Sequence, residues 1–378
     1  MPDYESLRLL WWAVLGVLLM GFAITDGFDM GSMALMPFIG RNDAERRVII
    51  NTVGPVWEGN QVWLILGGGA IFAAWPYLYA IAFSGFYLAM FVVLCSLILR
   101  PVGFKFRSKM QAQRWRTFWD WCLFIGGNVP PIIFGVAFGN ALQGVPFTLD
   151  QDMRMTYSGT FFGLLNPFAL LCGVISLSMF LLHGASWLAV KTEGVVERRA
   201  RKASVTAALT VLVLFMIAGL WSSTSISGYR FLSAIDPDGP SNPLLKHVIR
   251  MPGAWLDNYH TLPIAYLVPF LAVVGLIVAL AGVAIRKPLL SFLGSSLTQV
   301  GVIGTAGVSM FPFLLPSSAD PNASLTVWDA SSSRGTLITM TVVTVVFLPI
   351  VLAYTSWAYY VLRGKITNDT VKQNDSAY

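Results

Sequence analysis

Three carboxylates border apolar sequence where a charge is costly. Residues 9–24 carry no charge, and Thr25-Asp26-Gly27-Phe28-Asp29-Met30-Gly31 follows. The next apolar stretch opens Trp57-Glu58-Gly59-Asn60-Gln61-Val62-Trp63. An ionised Asp at the centre of a spanning helix costs about 2.5–3.5 kcal/mol on insertion scales. Such groups turn toward a protein interior or a watery path, and the chemistry they offer by default is proton or ion handling. Asp26 and Asp29 share one helix face if the helix persists through Gly27. Capping, or pairing with Arg41, Arg46 or Arg47, is the structural alternative. An Asp near the C-terminal end of a helix opposes the dipole, which favours a functional reading. Glu58 at a helix start agrees with the dipole, so a purely structural reading is open for it as well.

The elements that must hold these acids are membrane helices. Of the 378 residues, 56% are hydrophobic and 12% charged, against about 25% charged in a soluble domain. The pattern predicts an all-α polytopic membrane protein, one integral membrane domain over 1–378. Nine spans are predicted: 9–30, 54–74, 77–99, 117–138, 161–190, 205–221, 262–285, 289–315 and 336–362, each near the roughly 20 residues needed to cross. Asp3 and Glu5 stand where a cleavable signal would be basic, so the first span is expected to stay. Nineteen of the 25 Lys and Arg fall in one set of alternate connections and six in the other. Basic loops favour the cytoplasm, which places the N-terminus outside and the C-terminus inside. The first four spans (1–140) and the next four (161–315) could be two four-helix units with 336–362 as a ninth helix. No internal repeat establishes this.

The second span is short of apolar residues. Its uninterrupted run 62–74 is about 20 Å of helix, less than the roughly 30 Å of hydrocarbon. The helix must reach back through Glu58, Asn60 and Gln61, which are expected to face other helices. Asp26 lies about 26 Å along the first span from Leu9. Asp26, Asp29 and Glu58 are thus expected at one depth near the cytoplasmic side, as a proton pathway. Trp63 adjoins this polar turn, and core packing competes with any special role for it. Asp120, close after Arg114 and Arg116, reads as an ion pair or helix-end residue. Only His183 of the three histidines lies in a span, so no haem or metal site can be assembled from this chain. Cys95, Cys122 and Cys172 lie in apolar segments and read as buried thiols. Nothing resembles a nucleotide-binding loop, and no nucleic-acid partner is expected.

Taken in order, these segments resemble subunit II of the bacterial cytochrome bd quinol oxidases. The resemblance rests on Trp11-Trp12, the Thr25–Gly31 and Trp57–Trp63 motifs, Gly40-Arg41-Asn42-Asp43 and Phe72-Ala73-Ala74-Trp75-Pro76. It continues through Arg100-Pro101, Val136-Ala137-Phe138-Gly139-Asn140, Gln143-Gly144-Val145-Pro146-Phe147, Leu165-Asn166-Pro167-Phe168, Met310-Phe311-Pro312-Phe313 and Trp328-Asp329-Ala330. It implies nine helices as two four-helix bundles plus a peripheral ninth, in the bacterial inner membrane. It implies a haem-bearing subunit I that holds haem b558, haem b595 and haem d, a small single-helix accessory subunit, quinol as substrate, and contacts with membrane lipids. A structural quinone in the complex is compatible with it. The family's proton path maps onto Asp26, Asp29 and Glu58, and Trp63 matches a residue near oxygen access in some members. Glu58 stands where many members have Asp, and Lys105 where some carry an acid of the path. A proton-coupled secondary transporter and a purely structural scaffold are the competing readings, and the first is weakened by the lack of inverted repeats.

Overall fold

The first apolar run does not stop at its acids. In the computed structural model, which describes residues 3–373, α1 (Tyr4–Ile39) continues unbroken through Asp26, Asp29 and Pro37. The predicted end at residue 30 is therefore corrected. The extension is held by close packing: a Cβ at Gly31 would collide with the Phe180 backbone, and one at Gly184 would collide with the backbone of Gly31. Small residues let helices approach this closely in a membrane. Asp26 and Asp29 then lie well inside the helix, and the dipole argument lapses because that effect is confined to the last turn.

The remaining helices follow in order: α2 (Asp43–Val53), α3 (Trp57–Ala74), α4 (Pro76–Gly85), α5 (Tyr87–Phe106) and α6 (Gln113–Gln143). Then come α7 (Pro167–Lys191), α8 (Gly194–Thr224), the short α9 (Asp257–Thr261), α10 (Leu267–Ala284), α11 (Pro288–Met310), α12 (Arg334–Val361) and α13 (Asn368–Gln373). Among the described residues, eight helices are long and apolar enough to cross a membrane: α1, α5, α6, α7, α8, α10, α11 and α12. Of the predicted spans, the second falls outside that group: its helix α3 has 18 residues and a polar first turn. The predicted third span is interrupted at Phe86, between α4 and α5.

Helix α1 packs against α3, α6 and α7, with α5 behind α6 and α11 behind α7. Helices α10 and α11 pair, and α12 meets chiefly α1 and α3 over a narrow strip in which Leu337 is its one buried residue among those described. The connections at the Tyr4 end carry three antiparallel two-stranded ribbons, β1–β2 (Phe147–Leu149, Met155–Tyr157), β3–β4 (Ser227–Phe231, Val248–Pro252) and β5–β6 (Phe313–Leu315, Leu325–Thr326). Their registers pair Thr148 with Thr156, Tyr229 with Arg250 and Phe313 with Thr326. Arg8 of α1, wholly buried, ties this cap down through the Pro237 and Gly239 carbonyls and the Ser331 and Ser241 hydroxyls. Lys246 and Asp329 form a second buried tie at 2.8 Å. Burial pulls the Lys246 ammonium below the ordinary lysine value, against the opposing pull of Asp329.

Candidate functional site

One turn of α1 aims two carboxylates at two different helices. Asp26 turns to α5, where Arg100 grips it with both terminal nitrogens, one at 2.9 Å. Both side chains are wholly buried. A two-pronged guanidinium–carboxylate contact is the strong form of this interaction. Arg100 ends the apolar run of α5, so its stem stays among apolar groups while its head reaches α1. Asp29 turns instead to α3. Its Oδ2 accepts from Asn60 Nδ2 at 2.8 Å, and Asn60 Oδ1 accepts the Tyr359 hydroxyl of α12 at 2.5 Å. Asn60 therefore couples α12 to α1. The other oxygen of Asp29, Oδ1, is buried and has no partner.

The charges do not balance. Two buried carboxylates share one guanidinium, and Arg100 is already engaged with Asp26. Asp29 is the member of the cluster that can take or give a proton without breaking an ion pair. An unsatisfied buried oxygen of this kind also calls for water or a further donor.

Glu58 does not join them. The expectation that it faces inward is corrected by the stripe of α3 that does: Trp57, Asn60, Trp63, Gly67, Ala70 and Ala74 are buried. At 100° per residue that periodicity points position 58 away. The Glu58 side chain is 65% exposed and pairs with Lys105 of α5 at 3.4 Å. Trp63 is buried, with its ring against Gly21 of α1, where a Cβ would lie only 2.8 Å from the ring.

Of the arginines considered as partners of Asp26 and Asp29, Arg46 serves elsewhere. Arg46 binds Asp120 at 2.7 Å, and Arg107 binds Asp120 at 2.5 Å and Asp43 at 3.0 Å. Arg116 binds Asp43 at 2.8 Å. Asp120 is thus a buried ion-pair residue, with Arg46 and Arg107 rather than the neighbours at 114 and 116. Glu45 clasps α8 through Arg199 at 2.7 Å. Burial opposes the Glu45 charge, but hydrogen bonds from the Arg41 N–H and from Arg199 outweigh it and hold the carboxyl below its ordinary value.

Both ring nitrogens of His183 are engaged, at 2.7 Å to Ser295 and 2.8 Å to the Ile24 carbonyl. Among the described residues, no group of three or more His, Cys, Asp or Glu side chains could hold a metal ion. An apolar cavity of about 610 Å³ does lie within the helices, lined among others by Phe22, Phe134, Cys172, Met179, Phe180 and Ile303.

Three residues of the cluster carry roles that the sequence did not assign. Arg100 counted only as a basic loop residue, Tyr359 had no role, and Asn60 was expected inside without a partner. The available signal was the arginine at the very end of an apolar run, ahead of Pro101.

Comparison with known proteins matches residues 7–362 to the family model described as cytochrome bd terminal oxidase subunit II. The chain is 53% identical over 374 residues to cytochrome bd-I ubiquinol oxidase subunit 2 of Escherichia coli K12, covering 99% of each. It is 32% identical over 366 residues to cytochrome bd ubiquinol oxidase subunit 2 of Bacillus subtilis, covering 96% of this chain and 98% of that one. A chain in the solved structure of the bd oxidase from Geobacillus thermodenitrificans shares the fold, with a TM-score of 0.69 at 15% identity over 95% of this chain and 98% of that one.

Proposed function

Because this chain belongs to the cytochrome bd terminal oxidase subunit II family, we propose that its buried Asp29 passes protons toward haems held by a partner chain. The chain is a membrane subunit of a bd-type quinol oxidase, a haem-dependent oxidoreductase complex. The observation that carries the proposal is the imbalance of two buried carboxylates against one guanidinium, with Asp29 Oδ1 left without a partner.

In this reading each group has a separate task. Arg100 fixes Asp26, which keeps α1 and α5 in register and positions Asp29. Asn60 orients the Asp29 carboxyl, and Tyr359 fixes the Asn60 amide. Glu58, paired with Lys105 on the exposed face, collects protons at the outer lip of the cluster. Trp63, one turn beyond Asn60 on the buried stripe of α3, stands at oxygen access.

The wider assignment follows. Helix α3 completes nine spans, with 1–140 and 161–315 as two four-helix units and 336–362 as the peripheral ninth. The basic loops face the cytoplasm and the Tyr4 end faces outside. The reaction's haems, haem b558, haem b595 and haem d, are assigned to subunit I, a reading supported by the engagement of both His183 ring nitrogens. Quinol is the substrate of the complex, and a small single-helix subunit completes it. The apolar cavity suits the isoprenoid tail of a structural quinone or a lipid chain.

A scaffold role is favoured for Asp26 alone, by its closed ion pair. Asp29→Asn in the assembled, haem-replete complex is the test. General acid–base groups contribute about 10²–10⁴ in rate, and oxygen reduction should fall at least tenfold on that scale. Unchanged turnover and proton uptake would remove the proposal.

A further inference from the structure

The seam between α1, α7 and α11 is polar where its surroundings are apolar. His183 of α7 is wholly buried and bonds Ser295 Oγ of α11 and the Ile24 carbonyl of α1. One turn toward Lys191, Ser186 Oγ lies 3.1 Å from Ser291 Oγ and 3.3 Å from Ser204 Oγ of α8. One turn the other way along α11 stands Gln299, also wholly buried, with neither Oε1 nor Nε2 partnered. Ser291, Ser295 and Gln299 are spaced i, i+4, i+8 and form one stripe of α11. Gln299 lies against Gly27, where a Cβ would be 3.4 Å from its Nε2.

The bonds at His183 suit a group that gains and loses a proton. A carbonyl only accepts, so Nε2 carries hydrogen in every state. The Ser295 hydroxyl has two acceptors, His183 Nδ1 and the Phe292 carbonyl, each at 2.7 Å. Turned to Nδ1, it leaves the imidazole neutral. Turned to Phe292, it lets Nδ1 carry a proton and donate to Oγ. One hydroxyl rotation thus accommodates either state with the histidine's bonds kept. Gln299 is the independent observation. A buried amide orphaned at both ends is costly unless water meets it, and its acceptor and donor can hold one.

We propose that His183, Ser295 and Gln299 form a water-bearing proton relay, separate from the Asp29 cluster, reached from the Lys191 end through Ser186, Ser291 and Ser204. A proton arriving from water at Gln299 or along the serine hydroxyls, each of which takes up one proton as it passes one on, reaches Nδ1 through Ser295 Oγ; the Ser295 hydroxyl then turns to Phe292, and it turns back when Nδ1 gives its proton up. Only N–H and O–H bonds change, and nothing is oxidised or reduced. The faces around it carry no charge: Phe28 and Phe292 wall the imidazole, while Asp26 and Asp29 turn to α5 and α3. The proposal rests on the reading that this subunit supplies protons to the complex.

Two measurements on the assembled complex test it. A cryo-EM map that resolves waters should show density within about 3 Å of both amide atoms of Gln299. A dry Gln299 overturns the relay, and this measurement needs no variant to fold. In flash-triggered proton-uptake measurements, Gln299→Leu and His183→Phe should each slow uptake about tenfold or more at unchanged haem content. Undiminished uptake overturns it as well. If Gln299→Leu slows uptake and Asp29→Asn does not, the Asp29 reading fails and the relay stands. The opposite result removes the relay alone.

Discussion

Two sides of α1 meet their neighbours in different ways. Toward α7, contact is backbone on backbone through Gly31 and Gly184, and α7 is buried along most of its C-terminal half. Toward α3 and α5, contact is made by side chains, the Asp26–Arg100 pair and the Asp29–Asn60 bond. The outer surfaces of α3 and α5 stay open, with Ile65, Phe72, Tyr87, Phe91 and Ile98 all more than half exposed. The close side relies on shape, and a missing methyl group is what permits it. The open side relies on charge, and its acids are graded from sealed (Asp26) through half-satisfied (Asp29) to exposed (Glu58). That gradient is what a subunit needs if its carboxylates serve chemistry in a neighbouring chain.

The strongest way to break this comparison is to unpair the sealed acid. Arg100→Leu leaves Asp26 buried without a cation, and removing one partner of a buried pair costs about 3–5 kcal/mol. The expected result is loss of assembled, haem-containing complex in purified membranes. Replacing both partners, Asp26→Asn with Arg100→Gln, should restore assembly, since neutral pairs of similar shape are often tolerated. Failure of the double variant to recover would show that Asp26 does more than hold α1 to α5.

The close side should respond next. Gly184→Ala forces α7 off the Gly31–Ser32 backbone, and overpacking of this kind costs about 1–3 kcal/mol. A lower unfolding temperature of the complex, with proton uptake unchanged per intact haem, is the expected reading. If uptake per haem falls too, the two sides of α1 are coupled. A smaller effect is expected from Tyr359→Phe. It removes one hydrogen bond to Asn60, worth about 1 kcal/mol, and frees the amide that orients Asp29. Turnover measured with and without the hydroxyl should differ less than with and without the Asp29 carboxylate.

Which of these contacts the sequence revealed follows from their range. Hydropathy located the eight helices long and apolar enough to cross because each is a local run, and it flagged the second predicted span because residues 57–61 are polar. The motif around Asp26 and Asp29 marked a turn of α1 that is buried in the fold. The first span was ended at residue 30 because a local run does not show the packing of Gly31 on the α7 backbone, which carries α1 on to Ile39. The Arg100 partnership was hidden because 74 residues separate it from Asp26, and charge counting assigns every arginine near a span end to the loop. Glu58 was misplaced for a different reason. Depth along a helix can be counted from rise, but the face needs the buried stripe, and Asn60 and Trp63 define that stripe only once their partners are known.

The smallest expected effect tests the exposed end of the gradient. Glu58 and Lys105 are both more than half exposed and 3.4 Å apart, and an exposed pair is worth up to about 1 kcal/mol. Translated to rate, Glu58→Gln should slow oxygen reduction by no more than about fivefold, well short of the loss expected for Asp29→Asn. Lys105→Glu sharpens the point, because it sets two carboxylates side by side on the open face. If the pair only balances charge, Lys105→Glu should weaken retention of the partner subunit, and adding Glu58→Lys should restore it. If Glu58 collects protons, the reversed pair should restore assembly yet leave uptake slow, since the acid then sits on α5. A Glu58→Gln variant as impaired as Asp29→Asn would collapse the gradient, and the exposed acid would have to be counted with the buried one.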